Sequence, residues 1–131
     1  MHEAAEEASL PEALVREMAL PCGAITYMSQ RSDGLRAGLP VPAVLYTYDL
    51  LLDSDTVPSP NDEEVQEFSL YTIDQVKEAM FRNKFKPNSA LIMIDFFVRH
   101  GILTAADDAA YLEIIGRMHR KLPIPTSPCV P

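Results

Sequence analysis

The stretch ALIMIDFFVRH, residues 90–100, limits the fold more than any other. Asn88 or Ser89 stands where a helix N-cap belongs, and Gly101 where a C′ residue belongs. Between them the apolar side chains fall on nearly every side of a 3.6-residue repeat. Such a helix has no face to offer water, so it is expected to be central. Asp95 and Arg99 form its one i,i+4 pair. The most apolar run, SALIMIDFFV, is ten residues long and carries Asp95. That is too short to span a bilayer, so no membrane segment is expected.

The other elements arrange themselves around that helix. Residues 2–8 read as the end of a helix. Ser9 offers an N-cap for a short helix over Pro11–Met18, with Glu12 as its reciprocal partner three residues on. LPCG breaks it. AITYMS (24–29) and PAVLYTYDLLL (42–52) are strand signals that pair as an antiparallel hairpin across a long loop. DSDTVPSPNDE is a polar, proline-rich loop, and EVQEFSLYT (64–72) alternates with period two as a third strand. Thr72 caps a helix over 73–82, and NKFKPNS connects it to the apolar helix. Thr104 opens a last helix, with Asp107 three on and Pro123 closing it. The order is helix, strands, helices, which predicts an α+β layered fold.

The chain has 131 residues, enough for one domain with a core. Its charge is unevenly placed. Residues 1–67 hold 13 Asp and Glu against 3 Lys and Arg, whereas residues 68–131 hold 6 against 8. An acidic half argues against a nucleic-acid groove and suits a divalent cation. Cys22 and Cys129 are too few for a disulfide framework or a zinc site, which points to a reducing compartment. The acidic start lacks the basic and apolar regions of a signal peptide. A cytoplasmic protein is expected.

Glu3, Glu6 and Glu7 share one helical face. Either the stripe is solvated or it holds a cation. Crowding carboxylates costs roughly 1 kcal/mol per pair at 4 Å in water, a penalty a cation removes. HEAAEEASL resembles the second half of the Nudix box, GX5EX7REUXEEXGU, with U an apolar residue. Glu3 falls on the Glu of RE, Glu6 and Glu7 on the EE pair, and Leu10 on the final apolar position. His2 departs from Arg and Ser9 from Gly. PSPNDEEVQEFSL, FKPNSALIMIDFFVRHG and YLEIIGRMHRKLPIPT are similar to the C-terminal half of one Nudix branch, related to thiamine pyrophosphokinase. Fungal members of that branch carry EEAS as this chain does.

The resemblance implies an incomplete α/β/α Nudix-like fold: the Nudix helix, antiparallel strands and three C-terminal helices. It implies a truncated Nudix-like domain over 1–122, with the proline-rich 123–131 as an extended or mobile tail. It assigns Mg²⁺ or Mn²⁺ to Glu3, Glu6 and Glu7, and a catalytic role to Glu6. Glu64, in the second acidic cluster NDEEVQEF, is the candidate base or extra ligand, against a plain charged loop end. Lys84, Lys86 and Asn88 are candidates for meeting substrate phosphate, against a solvated connector and an N-cap. Tyr27, Tyr46 and Tyr48 read as sheet and core residues.

Three functions follow. The first is a metal-dependent diphosphatase acting on a thiamine diphosphate-like or other organic diphosphate. The second is a Nudix fold without hydrolase activity, serving as an interaction protein. A homodimer would then cover the sheet edge left by the absent N-terminal strands. The third is a repurposed fold catalysing a metal-independent step on an apolar metabolite.

Overall fold

The computed structural model of the protein describes residues 6–61 and 65–127, apart from the side chain of Arg36. Residues 6–8 are helical. There follow α1 (Glu12–Met18), β1 (Ala19–Gln30), a 3₁₀ turn (Gly34–Arg36), β2 (Pro40–Leu50), α2 (Ile73–Phe81), α3 (Pro87–Arg99) and α4 (Tyr111–Met118). The two strands pair as an antiparallel hairpin, so the fold is α+β with three helices after the sheet. The hairpin loop closes through Gly38 N to Arg31 O at 2.8 Å and Arg31 N to Leu39 O at 3.1 Å.

Three sequence expectations change. LPCG does not break the chain: β1 runs through Leu20, Pro21, Cys22 and Gly23. Gly23 makes this possible, because its φ of +132° lies where a side chain is strained. Residues 65–72 form no strand, and Gln66 through Thr72 are all exposed. Period-two alternation describes a strand only where a neighbouring strand accepts its ladder, and none does here. The expected strand's first residue, Glu64, lies outside the described residues. Thr104 and Asp107 do bond as expected, with Thr104 N to Asp107 Oδ2 at 2.8 Å, but they close a turn. The helix starts only at Tyr111.

The structure divides into two compact units. One takes the chain up to Cys22 together with Tyr48–Lys84; the other takes Gly23–Thr47 and the chain from Phe85 on. In the first, Ala8, Leu10 and Val15 are buried together, with Ala19, Leu50 and Leu52 packed against them. α2 opens with a full capping box. Thr72 Oγ1 accepts from Gln75 N at 3.2 Å, and Gln75 Oε1 accepts from Thr72 N at 2.8 Å. It closes with Asn83 in the left-handed region, φ +55°, and Lys84 N bonded to Ala79 O at 2.9 Å.

In the second unit Ile25 and Met118 are completely buried, beside the buried Phe97 and Leu122. A parallel bridge joins Thr26 to His119, and the Thr26 hydroxyl donates to Arg120 O at 2.7 Å. Strand β2 alternates: Thr47 is buried and donates to Gly23 O at 3.2 Å, whereas Val44, Tyr46 and Tyr48 are exposed. Tyr46 and Tyr48 are therefore not core residues. α3 ends where the sequence places it, with Gly101 at φ +68° and Ile102 N bonded to Phe97 O at 2.8 Å. It starts two residues earlier than a cap at Asn88 requires and three earlier than one at Ser89: Lys86 is the N-cap and Pro87 the first helical residue, where a missing N–H is harmless.

α3 is less central than its composition predicts. Only Asp95 and Phe97 are buried on it, and Ile92 is exposed. The buried side thus includes its one acid. Arg99 Nε donates to Asp95 Oδ2 at 2.7 Å, and the Arg99 guanidinium lies 5.9 Å from the centre of the Phe96 ring. The pairing keeps a buried carboxylate from standing uncompensated. The helices α1, α2 and α4 each carry an exposed Glu–Arg pair four residues apart, a small stabilising device of roughly 0.3–0.5 kcal/mol each. Among the described residues, no helix is long and apolar enough to cross a membrane.

Ile25 is the residue on which the second unit's core turns. Its truncation to Ala is expected to lower unfolding free energy by about 2–5 kcal/mol in a denaturant titration.

Candidate functional site

The acidic helix end is built by three features of residues 6–10. Glu6 is exposed and Glu7 half-buried, while Ala8 and Leu10 are buried. Ala8 and Leu10 are buried in the first unit's core, which fixes the rotation of this turn and leaves Glu6 exposed and Glu7 half-buried. Ser9 then takes a φ of +54°. That is the left-handed C′ conformation in which helices commonly stop, usually on glycine. The Nudix pattern has glycine at this position. The serine departs from the pattern in residue type but takes a backbone conformation that glycine favours.

This corrects the capping reading of Ser9. A residue that ends one helix in the left-handed region does not have the extended φ and ψ of an N-cap. The N-cap of α1 is instead Pro11, with no side-chain cap bond, and Glu12 pairs with Arg16 at 2.7 Å rather than reaching back. Ala8 O, left open by the helix end, accepts from Ser59 N at 3.1 Å. The loop after β2 is thereby tied to the residue next to Glu7.

That loop begins with a tight turn. Asp53 Oδ1 accepts from Thr56 N at 2.8 Å and from Asp55 N at 3.1 Å. The Thr56 hydroxyl, together with those amides, holds the Asp53 carboxyl below its ordinary range. Beside the turn is a cavity of about 360 Å³, lined by Leu52, Val57, Pro58, Phe68 and Leu70 with Asp53, Ser54, Thr56 and Ser69. The cavity, the acidic turn and their connecting loop all belong to the first unit. Sequence reasoning missed this cavity. Phe68 and Leu70 lie in the segment read as a strand, and the proline-rich loop carried no site signal.

The predicted site residues separate. Glu6 and Glu7 stand adjacent on the acidic turn. Glu3 and Glu64 lie outside the described residues. Among the described residues, no three His, Cys, Asp or Glu side chains form a group that holds a metal. Glu6 and Glu7 do offer hard carboxylate oxygens. Mg²⁺ takes such donors, and it commonly binds through one or two carboxylates while retaining water. The donor chemistry therefore fits a magnesium-type ion.

Lys84 lines a small hollow of about 240 Å³ with Tyr71, Gln75, Glu78, Ala79 and Arg82 in the first unit. Arg82 is paired there with Glu78 at 2.6 Å. The hollow lies at the C-terminal end of α2, where the helix dipole favours the cations themselves over a bound anion. Lys86 and Asn88 belong to the second unit and are exposed. Asn88 Oδ1 accepts from Ser89 N at 2.9 Å inside the first turn of α3, whose N-cap, Lys86, makes no side-chain cap bond.

No protein-family model matches the chain, and no solved structure matches it significantly. The uncharacterized protein YJR142W of Saccharomyces cerevisiae is 37% identical over 132 residues, covering 96% of this chain and 39% of the relative. The chloroplastic Nudix hydrolase 20 of Arabidopsis thaliana is 32% identical over 120 residues, covering 91% of this chain and 30% of the relative. Nudix hydrolase 24 of the same plant, also chloroplastic, is 33% identical over 118 residues, covering 88% and 30%. The chain thus spans between three and four tenths of the length of these relatives.

The strained serine gives a direct check on the turn. Ser9→Gly is expected to raise stability by about 1 kcal/mol or somewhat less, and Ser9→Val to lower it, in paired denaturant titrations.

Proposed function

We propose that this chain is part of a Nudix-type hydrolase and that its acidic turn takes part in cleaving an organic diphosphate. One observation carries the reading: the helical turn bearing Glu6 and Glu7 stops at Ser9 in the left-handed region, at the position where the Nudix pattern has glycine. The similarity to two Nudix hydrolases along about nine tenths of the chain supports it. The substrate class, a thiamine diphosphate-like or other organic diphosphate, rests on the branch resemblance.

Mg²⁺ or Mn²⁺ bound here would neutralise phosphate charge and lower the pKa of water. Glu3, Glu6 and Glu7 would hold it. Glu6 and Glu7 would draw such an ion by charge, and the buried Ala8 and Leu10 hold the backbone of the helix end that carries them. Glu64 is proposed as the group that orients or deprotonates the attacking water. Lys84, Lys86 and Asn88 are proposed as phosphate contacts of secondary weight, since the Asn88 side chain already serves its own helix.

Oxythiamine diphosphate incubated with the protein and Mg²⁺ is expected to release phosphate. Glu6→Gln is expected to lower that rate at least about 100-fold, the upper end of what loss of an outer-sphere partner produces. A rate unchanged in the variant, or independent of metal, would overturn the assignment of Glu6.

A further inference from the structure

The cavity beside the Asp53 turn has the composition of a ligand site. Its volume, about 360 Å³, lies within the range of small-molecule pockets. Leu52, Val57, Pro58, Phe68 and Leu70 give it apolar walls. Val57 is 76% and Leu70 100% exposed, so the apolar rim stands open to water. An adjoining hollow of about 310 Å³ shares Leu52, Asp53 and Thr56 and extends the apolar surface to Leu14 and Met18.

Charge decides what such a cavity accepts. Among the described residues neither hollow is lined by a Lys or an Arg, and Asp53 is the one charged residue in both linings. Its carboxylate is fixed in direction by the amides of Asp55 and Thr56, which bond to Oδ1. The Thr56 hydroxyl, together with these bonds, holds the carboxyl below its ordinary range. The chain around it is strongly acidic. An anion is repelled, and an apolar body bearing a positive nitrogen is attracted.

We propose that this cavity binds a flat apolar ring carrying an ammonium group, with the ring against Phe68, Leu52 and Val57 and the nitrogen at the Asp53 carboxylate. The ring covers exposed apolar surface, and Phe68 in the lining offers an aromatic partner for it. The ion pair at the open rim supplies selectivity for the cation more than strength, because exposed pairs are screened. The site stands whether or not the chain hydrolyses a diphosphate, because nothing in it involves Glu6, Glu7 or a metal.

Three probes with one ring separate the contributions: tryptamine, 3-methylindole and indole-3-acetate. Each is titrated, without metal, into the ¹⁵N-labelled protein. Tryptamine is expected to give saturable amide shifts confined to residues 52–58 and 68–70, with indole-3-acetate at least tenfold weaker. Asp53→Asn keeps an oxygen for the turn and removes the charge. It is expected to bring tryptamine down to the affinity of 3-methylindole and leave 3-methylindole unchanged. Phe68→Ala is expected to weaken both several-fold. Equal binding of the three probes, shifts scattered over the surface, or no saturation at millimolar tryptamine would each overturn the proposal.

Discussion

The functional architecture depends on one backbone event, the left-handed turn at Ser9. It stops the acidic helix, sends the chain into α1, and leaves Ala8 O to bond with Ser59 N. Glycine reaches this conformation without strain, whereas serine pays for the Cβ with a penalty of order 1 kcal/mol. Burial of Ala8 and Leu10 on either side of Ser9 holds the turn against that penalty. Were the turn to relax, the register of Glu6 and Glu7 relative to the core would be lost with it. The loop bearing Asp53 would lose its tie to the acidic helix as well.

Around this turn the first unit gathers two chemically different surfaces. One is the acidic helical turn that carries Glu6 and Glu7. The other is an apolar cavity with a single oriented carboxylate at its rim. The first rests on a short-range device, the helix stop at Ser9, whereas the second joins the Asx-type turn at Asp53 to residues 68–70. The second unit is of a different kind. It buries Ile25 and Met118 completely, and its buried Asp95 is paired with the half-buried Arg99. Lys86 and Asn88 sit there, and their local roles are complete without a ligand.

How much of this was legible in the sequence follows from the range of the forces involved. Thr72 as a cap and Gly101 as a helix stop were readable, because each acts within one helical turn of itself. The three helices after the sheet were readable for the same reason. The strand through Pro21 was not. Proline and glycine together signal a break, and only the pairing of β1 with β2 overrides it. The segment 65–72 failed in the opposite sense: it has the alternation of a strand and finds no partner. The acidic stripe was visible from spacing, yet the conformation of Ser9 was not, since serine is an ordinary N-cap and an uncommon left-handed residue. The cavity depends on a loop and an extended segment meeting across the chain, a contact with no local signature.

The central claim is that the turn ending at Ser9 presents Glu6 and Glu7 as a grip for a divalent cation. Mn²⁺, which broadens nearby amide resonances, tests it most directly when titrated into the ¹⁵N-labelled protein. The expected result is saturable broadening centred on residues 6–10 and reaching Ser59, reversed by excess Mg²⁺ and absent when Glu6 and Glu7 are both replaced by Gln. Broadening spread evenly over the acidic surface, or none at millimolar Mn²⁺, would contradict the account.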